Sequence, residues 1–336
     1  MRKWASLPLA LVLVLMVGSL SWAAVNVSGN LRVWYQTEET DNVESDGFRF
    51  DRLALVFAAP LSETSGINSE LRFKFTGDEA VSLAATKQKV DDPVTEVSIG
   101  NKIRVHNAYY YRKAVLTEND ELDIGYFPID FANGDYNGLL VGSVADGFLG
   151  PDNHLGVKYI YIAGKFQGMV GFVNATSYNS SQNDGYDYAL RVTYQPLGVL
   201  TFGIGVARDA SVVSEYDIAG QVAVKNKADK YTVDALFKQG AWAILTEYAY
   251  QSLETTKRNL TSEFDGKGSF SEVSYTINPK LTSYLGVTID AKAITTNDYQ
   301  YFGTNYLLSD KTKLTGELVR YQNGDYQLGF RFRVDF

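Results

Sequence analysis

Apolar and polar residues alternate one by one along most of the chain, and the stretch 326–336 shows the pattern at full strength. Tyr326, Leu328, Phe330, Phe332, Val334 and Phe336 are interleaved with Gln327, Gly329, Arg331, Arg333 and Asp335. Successive side chains of a strand point to opposite faces, so one face here is aromatic and aliphatic and the other is polar and charged. A soluble protein buries such an apolar face under a second layer. A transmembrane barrel turns it to lipid and keeps the polar face in a wet lumen.

The same period recurs upstream. Over 27–37, Val27, Leu31, Val33 and Tyr35 oppose Ser28, Asn30, Arg32 and Gln36; over 66–76, Ile67, Leu71, Phe73 and Phe75 oppose Asn68, Glu70, Arg72 and Lys74. Further strands are expected at 103–112, 155–161, 186–195, 200–206, 231–238, 242–251 and 281–290. Less regular ones fall at 48–59, 122–128, 166–174, 270–277, 301–308 and 312–321. In 48–59, strict alternation puts Phe50, Arg52 and Ala54 on one face, which leaves its inside and outside undetermined. No useful window favours the 3.6-residue period of an amphipathic helix.

The connections sort into two kinds. Short ones with turn chemistry lie at 116–121, 163–165, 196–198, 239–241, 278–280 and 309–312, and long ones at 38–47, 77–100, 129–153, 176–185, 208–217, 252–268 and 291–299. Short periplasmic turns alternating with longer outer loops define an up-and-down transmembrane antiparallel β-barrel, an all-β fold in one domain. Counting 217–226 as a strand gives seventeen, whereas termini that share the periplasmic side require an even number. Assigning 208–228 to a long outer loop with a short apolar piece at 218–224 gives sixteen; an additional strand in 77–100 or 129–153 gives eighteen.

The N-terminus adds a second signal. Arg2 and Lys3 precede an apolar run over 7–20, and Ser21 and Ala23 are small residues three before and one before a cut after Ala23. That is the grammar of a secretory signal peptide, and the run is shorter than the roughly 20 residues a spanning helix needs. A leader over 1–23 and a barrel over 24–336 are therefore expected. Without the leader, which carries Arg2 and Lys3 and no acid, 29 basic residues face 39 acidic ones, a balance that argues against a nucleic-acid partner. The absence of cysteine excludes a disulfide framework and thiolate chemistry. A mean hydropathy of −0.15 does not count against a membrane location, because only alternate residues of a barrel face lipid.

In order along the chain, Phe48-Arg-Phe-Asp-Arg52, Asn107-Ala-Tyr109, Ile124-Gly-Tyr-Phe-Pro128, Gly171-Phe-Val-Asn174, Leu190-Arg-Val-Thr-Tyr-Gln-Pro196, Thr246-Glu-Tyr248 and Phe302-Gly-Thr-Asn-Tyr306 resemble the phosphate-selective porin family of sixteen-stranded channels. The final Phe336 likewise resembles the last strand of bacterial outer-membrane proteins, where a terminal aromatic belongs to the assembly signal. The resemblance implies a homotrimer of water-filled pores. Phosphate selectivity does not carry over with it. Members that select phosphate crowd the pore with basic residues, whereas the candidate constriction loop 129–153 has no Lys or Arg and carries Asp130, Asp135, Asp146 and Asp152. That segment is too apolar and glycine-rich for a freely solvated loop and should pack inward across the lumen, on top of the barrel or at a subunit contact.

Candidate chemistry is sparse. The two histidines, His106 beside Arg104 and Tyr110 on the lumen face and His154 at a strand start near Asp152, belong to no recognisable nucleophile motif. Acidic clusters at Glu38, Glu39 and Asp41 and at Asp91 and Asp92 lack ordered calcium-ligand spacing. Tyr109 to Tyr111, Tyr159, Tyr161, Tyr186 and Tyr188 read as interfacial girdles, most of them outward, rather than as an inward sugar-stacking track.

Alternation assigns Arg32, Arg72, Lys74, Arg104, Arg331 and Arg333 to the pore lining, with Lys102, Arg112, Lys158 and Arg191 on the same face. Closure of the barrel brings Arg331 and Arg333 to Arg32, making a basic stripe that Glu70, Glu317 and Asp335 either neutralise or leave exposed to the lumen. The expected function is passive passage of ions and small hydrophilic solutes, leaning towards anions if the stripe is not neutralised. No cofactor and no catalysis are expected, and outer-membrane lipid is the surrounding partner. The alternatives are a non-conducting surface barrel serving as adhesin or anchor, a phosphate- or sugar-specific channel, and a barrel hydrolase.

Overall fold

The computed structural model describes residues 25–40, 43–75, 101–129, 132–133, 137, 153–174, 186–217, 220–257, 260–292 and 298–336; the expected leader lies outside them. At 38–40, 43–51, 74–75, 101–104, 153, 174, 186, 209–217, 220–226 and 290–292 the backbone alone is described. Sixteen strands run in order: β1 (Asn26–Thr40), β2 (Val43–Pro60), β3 (Ser65–Phe75), β4 (Asn101–Lys113), β5 (Asp120–Pro128), β6 (Asn153–Ala163), β7 (Phe166–Asn174), β8 (Tyr186–Leu197), β9 (Leu200–Asp217), β10 (Gly220–Gln239), β11 (Trp242–Lys257), β12 (Leu260–Asn278), β13 (Leu281–Lys292), β14 (Tyr299–Ser309), β15 (Thr312–Tyr321) and β16 (Tyr326–Asp335). Each pairs with its chain neighbours and β16 pairs with β1, giving a closed, wholly antiparallel barrel. Closure leaves no edge strand, the condition for a sheet to sit in hydrocarbon.

The seam is held by Gly29 and Phe336, whose backbones exchange hydrogen bonds of 2.9 and 3.0 Å. Glycine is needed there because a Cβ on Gly29 would run into the Phe336 ring. At the short-turn end, Gly164 and Gly240 adopt φ of 59° in two-residue hairpin turns, a conformation that favours glycine. The longer turn before β5 is held by the Asp120 carboxylate, which accepts N–H groups of Val115, Leu116 and Thr117 at 2.6, 3.0 and 2.7 Å and the Tyr159 hydroxyl at 2.9 Å.

The outer surface is apolar along its length, with Leu155, Val157, Leu190, Phe202, Ile204, Val233, Leu285, Phe302, Leu318 and Phe330 all exposed. Aromatic side chains collect towards both ends of this band. Phe166 stacks on Tyr194 at 4.4 Å and Trp242 packs on Tyr275 at 4.6 Å near the short turns; Tyr188, Tyr231, Tyr248 and Tyr326 lie towards the opposite end. This is the exterior of a transmembrane barrel with interfacial girdles.

Two expectations about the strands are corrected. The segment 208–228 is not a loop. Residues 208–217 complete β9 and 220–228 begin β10, paired from Gly220↔Asp217 to Ala228↔Asp209 and beyond, so the seventeenth candidate is the first half of β10. The alternation is lost around Lys227 to Lys230 because a hairpin that rises into water needs backbone pairing but no apolar face. The connections expected at 38–47 and 252–268 are for the same reason mostly strand, paired as far as Thr40↔Val43 and Lys257↔Leu260.

Two β-bulges reset the phase of alternation. On β2, Arg32 pairs with Arg52 but Val33 pairs with Phe50, so Asp51 is an extra residue; Phe50 and Arg52, two apart in sequence, sit opposite residues of opposite faces. On β4, Leu71 pairs with Val105 but Glu70 pairs with Asn107, which makes His106 the extra residue. Beyond it Tyr109 and Tyr111 face inward, while Tyr110 and Arg112, both expected on the lumen side, are turned outward.

Candidate functional site

The inward face of the barrel carries the charges, and they are arranged in two ways. On β12 to β15, acids and tyrosines are linked across glycines. Register aligns Glu272 of β12, Gly286 of β13 and Tyr301 of β14, and also Tyr284 of β13, Gly303 of β14 and Glu317 of β15. Each tyrosine lies over the glycine of the next strand, where a Cβ would collide with its ring, and reaches a carboxylate two strands away. Tyr301 donates to Glu272 Oε2 and Tyr284 to Glu317 Oε2, both at 2.8 Å. The same device recurs as an ion pair, with Arg191 of β8 crossing Gly203 of β9 to Asp234 of β10 at 2.8 Å. Lys158 bonds Asp123 on the adjacent strand at 3.1 Å and lies 5.1 Å over the Phe127 ring.

On β15, β16, β1 and β2, cations share one rung: Lys313 pairs with Arg333, Arg333 with Arg32, and Arg32 with Arg52. Two of these cations meet a group on their own strand. Arg333 Nε donates to Asp335 at 2.7 Å and Arg32 Nε to Asn30 at 3.1 Å. Further round, Arg72 bonds Glu70 at 2.5 Å, so the acids named as neutralisers do engage two of the arginines.

Among the pore-lining candidates, Arg32, Arg72, Arg331 and Arg333 stand on the inward face. Lys74 and Arg104 belong to strands that continue the stripe, paired Arg72↔Arg104 and Lys74↔Lys102, but their side chains lie outside the described residues. Asp130, Asp135 and Asp146 lie outside them altogether, as does Asp152.

The described parts of 129–137 nonetheless fix where that segment starts. Ile129 packs on Met169 and Ala189 of β7 and β8, and Ala132 packs on the cluster of Leu245, Ala249, Phe270, Tyr284, Tyr301 and Val319. Asn137 donates its backbone N–H to Glu272 at 3.0 Å and its Nδ2 at 2.8 Å, and accepts from Asn305 at 3.3 Å. Leaving β5 on one side of the barrel, the chain is thus tied to strands on another side, inside the lumen. Beneath Asn137 a pocket of about 230 Å³ is lined by Lys238, Leu245, Glu272, Ser274 and Thr276.

Sequence reasoning missed Lys313, Trp34, Glu272, Tyr284 and Tyr301 as inward groups. A signal was present: Lys313, Thr315, Glu317 and Val319 alternate with Leu314, Gly316 and Leu318, and Tyr284 shares its face with Thr282 and Thr288. Of the girdle tyrosines, Tyr110, Tyr159, Tyr161 and Tyr188 face outward as expected, and Tyr109 and Tyr111 face inward. Among the described residues no group of three His, Asp or Glu is placed to hold a metal.

Solved structures share this architecture. The chain aligns over 93% of its length with 99% of a loop-deletion mutant of OmpT, an outer membrane protein of Vibrio cholerae, at 16% identity and a TM-score of 0.66. It aligns over the same share with 97% of the outer membrane channel DcaP of Acinetobacter baumannii (14% identity, TM-score 0.63) and with 99% of an anion-selective porin from Comamonas acidovorans (12%, 0.64). No protein-family model and no curated protein matches the chain. The fold is that of the sixteen-stranded porins.

Proposed function

We infer that the protein is an outer-membrane porin through which ions and small hydrophilic solutes diffuse. The observation that carries this reading is the placement of Ala132 and Asn137 after β5, Asn137 being bonded inside the lumen to Glu272 of β12, which supports a segment that narrows the barrel. The apolar exterior with its aromatic rims supports a bilayer location, and the short turns belong on the periplasmic side. A leader ending at Ala23, a homotrimeric assembly and a lean towards anions complete the reading; the last is supported by the shared rung of cations.

Refolded protein in a planar bilayer should give stable ohmic channels. Deleting 138–147 should raise the single-channel conductance while the barrel still folds, because an obstruction is removed and no strand is lost. A folded barrel that passes no current, with or without the deletion, would instead favour a plugged surface anchor.

A further inference from the structure

The rung of cations has a neighbour of different chemistry. One inward step along β1 from Arg32 stands Trp34, half-buried, paired with Arg331 of β16, which is itself paired with Thr315 of β15. An indole on the inward face thus lies directly above Lys313, Arg333, Arg32 and Arg52, four cations that span three interstrand spacings, about 14 Å. Groups of opposite or neutral character on the same face include Asp335 and Asn30 one rung below the cations, and Thr315 one rung and Glu317 two rungs above them on β15. Ile129 of the inward segment is seated against β7 and β8, and Ala132 and Asn137 against β11 to β15, where Asn305, bonded to Asn137, also takes the Thr315 hydroxyl beside this wall.

We propose that Trp34 with Arg32, Arg333 and Lys313 forms a binding subsite for organic carboxylates that carry an apolar or aromatic body. The inference rests on the porin reading, for it assigns the channel a preferred solute class. A guanidinium presents a planar fork that matches a carboxylate, and adjacent cations on one rung hold that carboxylate from either side. The indole face takes the body of the solute, a contact that a small inorganic oxyanion does not make. Cations alone rank anions by charge. Cations beside an indole rank them by what is attached to the charge.

The test uses the chain from Ala24 onward, which holds the whole closed barrel, with benzoate, acetate, inorganic phosphate and benzylammonium as probes. Among the four tryptophans of the sequence only Trp34 and Trp242 lie beyond Ala23, so W242F leaves Trp34 as the sole fluorophore. Benzoate should perturb Trp34 emission and reduce open-channel current at concentrations about tenfold below those required for acetate, as expected of one added aromatic contact. Benzylammonium should do neither. Followed by current block, W34L should bring the benzoate-to-acetate ratio close to one, W34F should keep an intermediate ratio, and R32Q with R333Q should weaken both carboxylates together. A channel that conducts but binds benzoate no better than acetate, or binds phosphate more tightly than benzoate, overturns the subsite and leaves the porin reading intact. Emission changes of the expected order in a barrel that passes no current uphold the subsite and overturn the porin reading.

Discussion

Two adjoining stretches of the lumen wall handle charge in opposite ways. On β12 to β15 the inward acids Glu272 and Glu317 are each met by a tyrosine from two strands away, laid over a glycine, which fixes the carboxylate in position. On β15 to β2 like charges share one rung, and Arg333 and Arg32 each bond a group on their own strand, Asp335 and Asn30. The first wall spends its hydrogen bonds on rigidity and on holding the inward segment. The second gathers half-buried cations of one sign. A channel needs both: an immobile wall fixes its width, and a charged one sets up the transverse potential that sorts solutes.

The harshest way to break this contrast is to fill a glycine of the rigid wall. A side chain at Gly286 collides with Tyr301, and one at Gly303 with Tyr284, because each ring occupies the volume of the missing Cβ. G286V should cost about 1–3 kcal/mol as an overpacked site and also displace Tyr301 from Glu272. Lower resistance of the refolded barrel to heat in detergent, read as the gel shift between folded and unfolded forms, would check it. Valine at Gly168, where nothing lies within 4 Å of the added atom, should leave that resistance unchanged.

The glycine rows also mark where sequence reading stopped. Period-two alternation reaches the eye from a single strand, which is why the strand count, the inward arginines and the closure of β16 on β1 were legible. A Tyr–Gly–Glu row involves three strands in register, and register is fixed by pairing and turns rather than by any one segment. Bulges are harder still. The extra residues Asp51 and His106 leave no compositional mark, yet each inverts every later assignment on its strand, which is how Tyr110 and Arg112 came to be placed on the wrong face. The long outer hairpins failed for a third reason: above the bilayer, backbone pairing persists without the apolar face that betrays it within.

Inverting the charged wall is a milder break. Arg32, Arg72 and Arg333 replaced together by Glu should move the reversal potential in a salt gradient towards cation preference. The shift should be largest below 0.1 M salt, where the screening length exceeds about 10 Å. Glu70 and Asp335 already offset Arg72 and Arg333 in part, so the new glutamates also place like charges together on β3 and β16. An unchanged reversal potential at low salt, in a channel that still conducts, would show that selectivity is set elsewhere.

The finest test separates the two tyrosines, which are alike in the barrel and unlike in what they hold. Tyr284 and Tyr301 each donate at 2.8 Å to a buried carboxylate, so Y284F and Y301F should each cost about 1 kcal/mol of barrel stability, the usual net worth of one hydrogen bond and more if the lone pair stays dry. Glu317 takes the Tyr284 hydroxyl, whereas Glu272 takes the Tyr301 hydroxyl and also the backbone and side chain of Asn137. Losing the Tyr301 hydroxyl frees Glu272 to change rotamer, and the inward segment should loosen with it. Y301F should therefore raise open-channel current noise and Y284F should not, at matched stability. Equal noise in the two variants would mean that the segment is held independently of the tyrosine row, and that the rigid wall fixes only its own shape.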